Sequence, residues 1–238
     1  GYDDAIGKLK YAVRDAKALR DALVAAPGGV PERNVSLLTD DGDPKHRPTR
    51  TNVSDQLIAW FGLARPEDMV LFYFSGHGVE RDGATYLMPL DASINNPAFT
   101  GIPLSYLKTQ LANCAAQRKL LILDACHSGA GREGGVMGNA TDQELQQAEG
   151  MAILASCRTD EKSYEWDEKQ HGVFSYFLTE AVSGKAERDG DGFLSLSEVN
   201  RYVHDEVSRW AADRGIHQRP RATVDVSGEM VVARTTAR

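Results

Sequence analysis

Cysteine is scarce in this chain: Cys114, Cys126 and Cys157 are its three. No two of them have the Cys-x-x-Cys spacing of a zinc or redox site, and an odd trio cannot staple a fold through disulfides. Such usage suits a reducing compartment and points to the cytoplasm, where a thiolate stays usable. Apolar runs are short. None approaches the roughly 18 residues of a membrane span, no secretory signal opens the chain, and there is no internal repeat or low-complexity tract. Positive charge is in deficit, 27 Lys and Arg against 34 Asp and Glu leaving a net charge of −7. Nucleic acids and anionic membranes need positive fields, so neither is expected as a partner.

What is present describes one large α/β domain over residues 1–238, with 42% hydrophobic residues to fill its core. Val35–Leu38, Met69–Phe74, Leu120–Leu123 and Met151–Ala155 read as strands; "TYLMPL" and "EMVVA" add two shorter ones. "MVLFYF" and "LLIL" are nearly continuous apolar blocks, as in strands buried on both faces. Between them Leu9–Val24 carries an apolar stripe at steps of three and four. Thr51–Leu63 repeats Val53, Leu57 and Phe61 behind a threonine cap at 49 or 51. Leu104–Ala115, Gly172–Val182 and Ser197–Trp210 complete the helices. This alternation predicts a mostly parallel sheet sandwiched by helices. Two long loops, Gly129–Gly150 and the densely charged Arg158–His171, leave strand carboxyl ends, which border the ligand crevice in parallel sheets.

The chemistry concentrates at two such ends. "MVLFYF" runs into "SGHG", with glycines on both sides of His77 to allow a tight turn, and "LLIL" runs into "DACHSG", presenting Cys126. The intervening stretch holds one hairpin and one crossover helix, so the two strands are expected side by side. Thiol and imidazole together supply a nucleophile and a proton donor. The plain alternative is a buried, inert cysteine.

"YFSGHG" followed by "ILDACHSG" resembles the caspase-fold cysteine peptidases, nearest the metacaspase, orthocaspase and paracaspase branch. The likeness runs from "LKYAVRDAKALRDAL" to "SGEMVVA" and implies a caspase-like (caspase-hemoglobinase) fold with a six-stranded, mostly parallel sheet. It implies Cys126 as nucleophile, His77 as acid/base partner, and the backbone N–H groups of Gly78 and Cys126 as oxyanion hole. Animal caspases have glutamine where this chain has Asp124. In the metacaspase-like branch the pocket for the P1 side chain is acidic, which implies Asp15, Asp124 and Glu161, with Ser75 beside them. Paired carboxylates select a guanidinium. Protein or peptide substrates cut after arginine, with lysine second, follow as the expectation, and Arg132 in "GAGREGG" is a candidate self-cleavage point. No cofactor is needed for this chemistry.

"ERDGDGFLSLSE" fits a twelve-residue calcium loop with Asp189, Asp191 and Glu198 as ligands, although Glu187 stands where aspartate is usual. An acidic turn capping the next helix is the competing reading. The family pattern also has an apolar strand just before "GYDD", so a first strand is expected on residues that precede Gly1. Two rival functions stay open: a non-proteolytic caspase-fold signalling module, with a regulatory protein partner or domain, and a calcium-binding regulatory protein.

Overall fold

The computed structural model describes residues 9–126, 139–148, 150–158 and 160–235, and excludes the side chains of Cys126, Asn139 and Ala140. Its strands are β1 (Met69–Arg81), β2 (Ala84–Met88), β3 (Ile102–Pro103), β4 (Arg118–Cys126), β5 (Ala152–Ala155), β6 (Glu165–Trp166), β7 (His171–Gly172), β8 (Phe193–Ser195), β9 (Arg221–Val224) and β10 (Val231–Arg234). Its α-helices are α1 (Ala12–Ala25), α2 (Arg50–Leu63), α3 (Pro97–Thr100), α4 (Leu104–Asn113), α5 (Asn139–Gln146), α6 (Val173–Glu180) and α7 (Leu196–Ala212).

Six strands form the main sheet in the order β3-β2-β1-β4-β5-β9. The central strands β1, β4 and β5 run parallel, β2 and β9 flank them antiparallel, and β3, antiparallel to β2, runs in the central direction again. The two-residue period of a strand sorts the core into two layers. Leu120, Ile122, Ala152 and Leu154 pack beneath residues of α1, α6 and α7, including Leu19, Phe174 and Val203. Their neighbours Leu121, Leu123, Ile153 and Ala155 face the opposite way, onto Leu57 and Phe61 of α2 and Leu104, Leu107 and Leu111 of α4. Burial on both faces is why these strands read as unbroken apolar runs. The caps follow local chemistry: the Thr49 hydroxyl accepts from Asn52 N at the start of α2, and Ser195 and Glu198 close a capping box on α7.

Several expectations are corrected. Val35–Leu38 forms no ladder among the described residues; Val35 is extended, but a strand needs a partner and no described residue pairs with it. "SGHG" is not a turn. β1 continues through it to Arg81, because the strand changes partner there, from β4 to the β2 hairpin. "EMVVA" yields β10, which pairs with β8 in a separate two-stranded sheet, and the sixth strand of the main sheet is "RATV", β9. The charged loop Arg158–His171 contains the β6–β7 hairpin, and the loop after Cys126 contains α5.

Candidate active site

His77 is the residue at which β1 exchanges one partner for the other. Its Cα is paired with Met88 in the antiparallel ladder and with Cys126 in the parallel ladder. Cys126 closes β4, and two steps earlier in the same ladder Ser75 is paired with Asp124. The His77 side chain is buried, and Gly78 follows it within the strand. The sequence therefore sets His77 and Cys126 side by side through backbone register alone, without help from a mobile loop.

A second cluster adjoins this pair on the face covered by α1 and α6. Asp15, one turn into α1, is 2% exposed. Its carboxyl receives the backbone N–H of Gly172 at 3.0 and 3.2 Å and lies 2.6 Å from His171 Nδ1. Asp124 is 1% exposed, and its two oxygens accept from the hydroxyls of Ser163 (2.8 Å) and Ser175 (2.5 Å). Those donors are themselves held: Tyr73 Oη lies 2.6 Å from Ser175 Oγ, and Gln218 Nε2 donates to Ser163 Oγ and to the Ser156 carbonyl, each at 3.1 Å. Gly172 sits between the two acids. A Cβ there would come within 3.1 Å of Asp15 Oδ2 and 3.1 Å of Asp124 Oδ2, so any side chain would crowd the space the carboxyls enclose.

Two carboxyls this close and this dry cannot both hold charge cheaply. Burial first, and the Asp124 charge second, push Asp15 up to about 8. Burial also raises Asp124, against the pull of the serine hydroxyls. Tyr73 is driven far above its ordinary value by burial and by both acids. The cluster therefore holds two raised carboxyls on either side of Gly172.

Glu161 is placed differently. It is 6% exposed, and its carboxylate accepts the backbone N–H of Arg219 at 2.7 Å and pairs with the Arg219 guanidinium. Its charge is matched within the protein. Of the acids implied by the resemblance, the structure brings Asp15 and Asp124 together and closes Glu161 with Arg219. Arg132 lies outside the described residues. In the 187–198 loop, carboxylate oxygens of Glu187, Asp189 and Asp191 lie within 4.8 Å of one another. Glu198 accepts from Ser195 N and Ser195 Oγ at the start of α7 and from Arg188 N of the loop. No motif or spacing in the sequence singles out His171, Gly172, Ser163, Ser175, Tyr73 or Gln218. "EKSYEW" and "GVFSYF" offered only two serines in aromatic surroundings, a faint signal.

A sheet covered on both faces, with a histidine and a cysteine on paired positions of its central parallel strands, is the architecture of a caspase-fold protein. The Caspase domain family (Peptidase_C14) matches residues 1–229. The chain belongs to that family of cysteine peptidases. It is similar to metacaspase-1 of Eremothecium gossypii, with 29% identity over 54% of this chain and 30% of that protein. It is similar also to metacaspase-3 of Arabidopsis thaliana, with 28% identity over 51% of this chain and 35% of that protein. The chain thus spans about a third of the length of these relatives. A crystal structure of a Geobacter sulfurreducens protein superposes with a TM-score of 0.60 at 17% identity, over 93% of this chain and 86% of that one, a likeness of fold. Among the described residues no helix is long and apolar enough to cross a membrane.

Proposed function

We propose that the protein is a cysteine endopeptidase that cleaves after arginine, and second after lysine, through a Cys126–His77 dyad. The observation that carries this reading is the register pair His77–Cys126 with Asp124 two residues away in the same ladder and Asp15 of α1 beside it across Gly172. The Cys126 thiolate attacks the carbonyl carbon of the scissile bond. The tetrahedral oxyanion is received by the backbone N–H groups of Gly78 and Cys126. His77 gives its proton to the departing amine as the C–N bond breaks, leaving a thioester on Cys126. Water, activated by His77, then hydrolyses the thioester and regenerates the thiol. Asp15 and Asp124 hold the P1 guanidinium, Ser75 lines the same wall, and Glu161, matched by Arg219, contributes less. Cys114 and Cys157 are free thiols, which favours a reducing, cytoplasmic setting.

Fluorogenic peptides that differ only at P1 test the assignment. Arginine should exceed aspartate and leucine by at least about 100-fold in kcat/KM, because unpaired carboxyls in a dry pocket reject what cannot satisfy them. Lysine, a point charge without the bidentate fork, should fall between. Preferred cleavage after aspartate would overturn the proposal.

A second reading concerns calcium. The three carboxylates of Glu187, Asp189 and Asp191, with Gly192 at φ +78° where a calcium loop needs its sharp turn, support a bound ion that orders the approach to α7. Titration calorimetry with calcium should give a one-site isotherm that Asp191→Ala removes. A flat trace from the unaltered protein would leave the loop as an acidic helix cap.

A further inference from the structure

The β6–β7 hairpin reaches across from the charged loop and sets His171 against the buried end of α1. His171 Nδ1 is 2.6 Å from Asp15 Oδ1. The Asp15 side chain is 3% exposed and that of His171 16%, so the imidazole stands between the buried acid and solvent. Register fixes it there: Trp166 pairs with His171 and Glu165 with Gly172, whose N–H holds the same carboxyl. Behind the ring, Tyr176 of α6 makes a tilted contact at 6.0 Å, packed in turn against Trp166 at 5.4 Å. An aromatic wall thus holds a titratable, part-exposed group at an edge of the acidic cluster.

We propose that His171 is the positioning residue of the arginine pocket: neutral, it orients Asp15 beside Asp124, and protonated, it takes the place of the substrate's cation. This rests on the reading of Asp15 and Asp124 as the P1 pocket. With a neutral ring, Nδ1 and the Asp15 carboxyl share one proton across the 2.6 Å contact. Entry of a P1 guanidinium then releases that proton through the imidazole to solvent, cation in and proton out. With both nitrogens protonated and Asp15 already neutral, the imidazolium sets a positive charge of its own at the edge of the acidic cluster, and a P1 cation must drive off that proton before binding.

The groups around the pair support this order of events. Arg14 of α1 lies close enough to lower His171, acting after the larger effect of burial, and its guanidinium pairs with Gln170. Glu165 of β6 accepts from the backbone N–H groups of Lys10 and Tyr11 and, with Asp124 of β4, raises Asp15. Tyr73 of β1 stays protonated, and Lys169 is drawn over the rings of Trp166 and Tyr176. The ring is therefore neutral at neutral pH and gains its second proton only below the usual histidine range.

KM and kcat for an arginyl peptide, measured from about pH 5 to pH 9, test the inference. In the unaltered protein KM should rise on acidification in two stages, one as Asp15 takes up its proton and a steeper one as His171 does, with kcat changing less. His171→Phe should raise KM at neutral pH at least about tenfold, with kcat within about threefold, because the displaced acid serves binding more than the chemical step. His171→Asn, which restores a hydrogen-bond partner that cannot titrate, should return KM to within about threefold of the unaltered protein and abolish the steeper acid stage. If Phe and Asn variants both keep the original KM–pH profile, the inference falls. Asp124→Asn separates the two ideas. If that change leaves arginyl hydrolysis intact, the pocket itself is misassigned. If it cripples hydrolysis while the His171 variants behave as the parent, only the role of His171 is wrong.

Discussion

Cys126→Ala and His77→Ala should each lower arginyl peptide hydrolysis by about 10^4-fold, roughly 5 kcal/mol of transition-state stabilisation, and the double variant should be no slower than either. Non-additivity is the informative part. The two residues share one register position on adjacent strands, so removing either leaves the other with nothing to act upon. Backbone placement also predicts that the fold survives both changes, since Cys126 is the terminal residue of β4 and His77 is held by ladders on both sides. Thermal melting should therefore change little while activity is lost. The remaining thiols cannot substitute. Cys114 and Cys157 are buried, and burial pushes Cys157 up to about 12, which keeps it a thiol. Inactivation by iodoacetamide should accordingly track alkylation of Cys126 alone, by peptide mapping. The same Cys126→Ala protein should remain one band on a denaturing gel where the unaltered protein yields two, if Arg132 is a self-cleavage point. Equal hydrolysis by the parent and Cys126→Ala would sink the dyad and favour a partner-binding module.

The parts of this architecture that were legible beforehand are those dictated locally. "MVLFYF" and "LLIL" read as central strands because they are nearly continuous apolar blocks, and a sheet covered on both sides makes use of that. A threonine cap at 49 or 51 marks the start of α2, and the structure selects Thr49, whose hydroxyl satisfies an orphan N–H. The His77 and Cys126 motifs could be aligned because a single crossover separates their strands. What stayed hidden is what tertiary packing assembles. Val35–Leu38 has strand composition, but composition does not supply a neighbour. "RATV" is short and half polar, and becomes a strand only because β5 offers an edge. His171 and Gly172 lie 156 and 157 positions from Asp15, with their contact made by a hairpin two residues wide. The serines on Asp124 come from two different segments, and no spacing rule links them. Glu161 shows the converse: the sequence presents an acid at the right place, and only the structure reveals Arg219 closing it.

Asp15→Asn should do two opposite things at once, and the pairing is what identifies a binding site as distinct from a structural acid. Hydrolysis after arginine should fall by at least about 100-fold, mostly in KM, as a bidentate charged contact becomes a neutral one. Stability near pH 8 should rise. Asp15 titrates at about 8 in the folded protein against 3.8 in the unfolded chain, so from about pH 4 to pH 8 the unfolded state has shed a proton that the folded state retains. Stability must fall with rising pH throughout that window. The limiting cost is about 1.4 kcal/mol per pH unit, and relaxation around the carboxyl reduces the sum to the order of 2 kcal/mol. Asparagine carries no such proton and can still accept from Gly172 N while its amide meets His171 Nδ1. Melting curves of variant and parent should therefore nearly coincide at about pH 4 and separate by roughly 4–8 °C at about pH 8, the variant being the more stable. Asp124→Asn should not match this gain, because Ser163 and Ser175 both donate to that carboxylate and an amide accepts only one of them well. A parent that is no less stable at pH 8 than at pH 4, relative to Asp15→Asn, would mean the acid is already neutralised inside the protein. It would then have no unmet demand with which to recognise a substrate's charge.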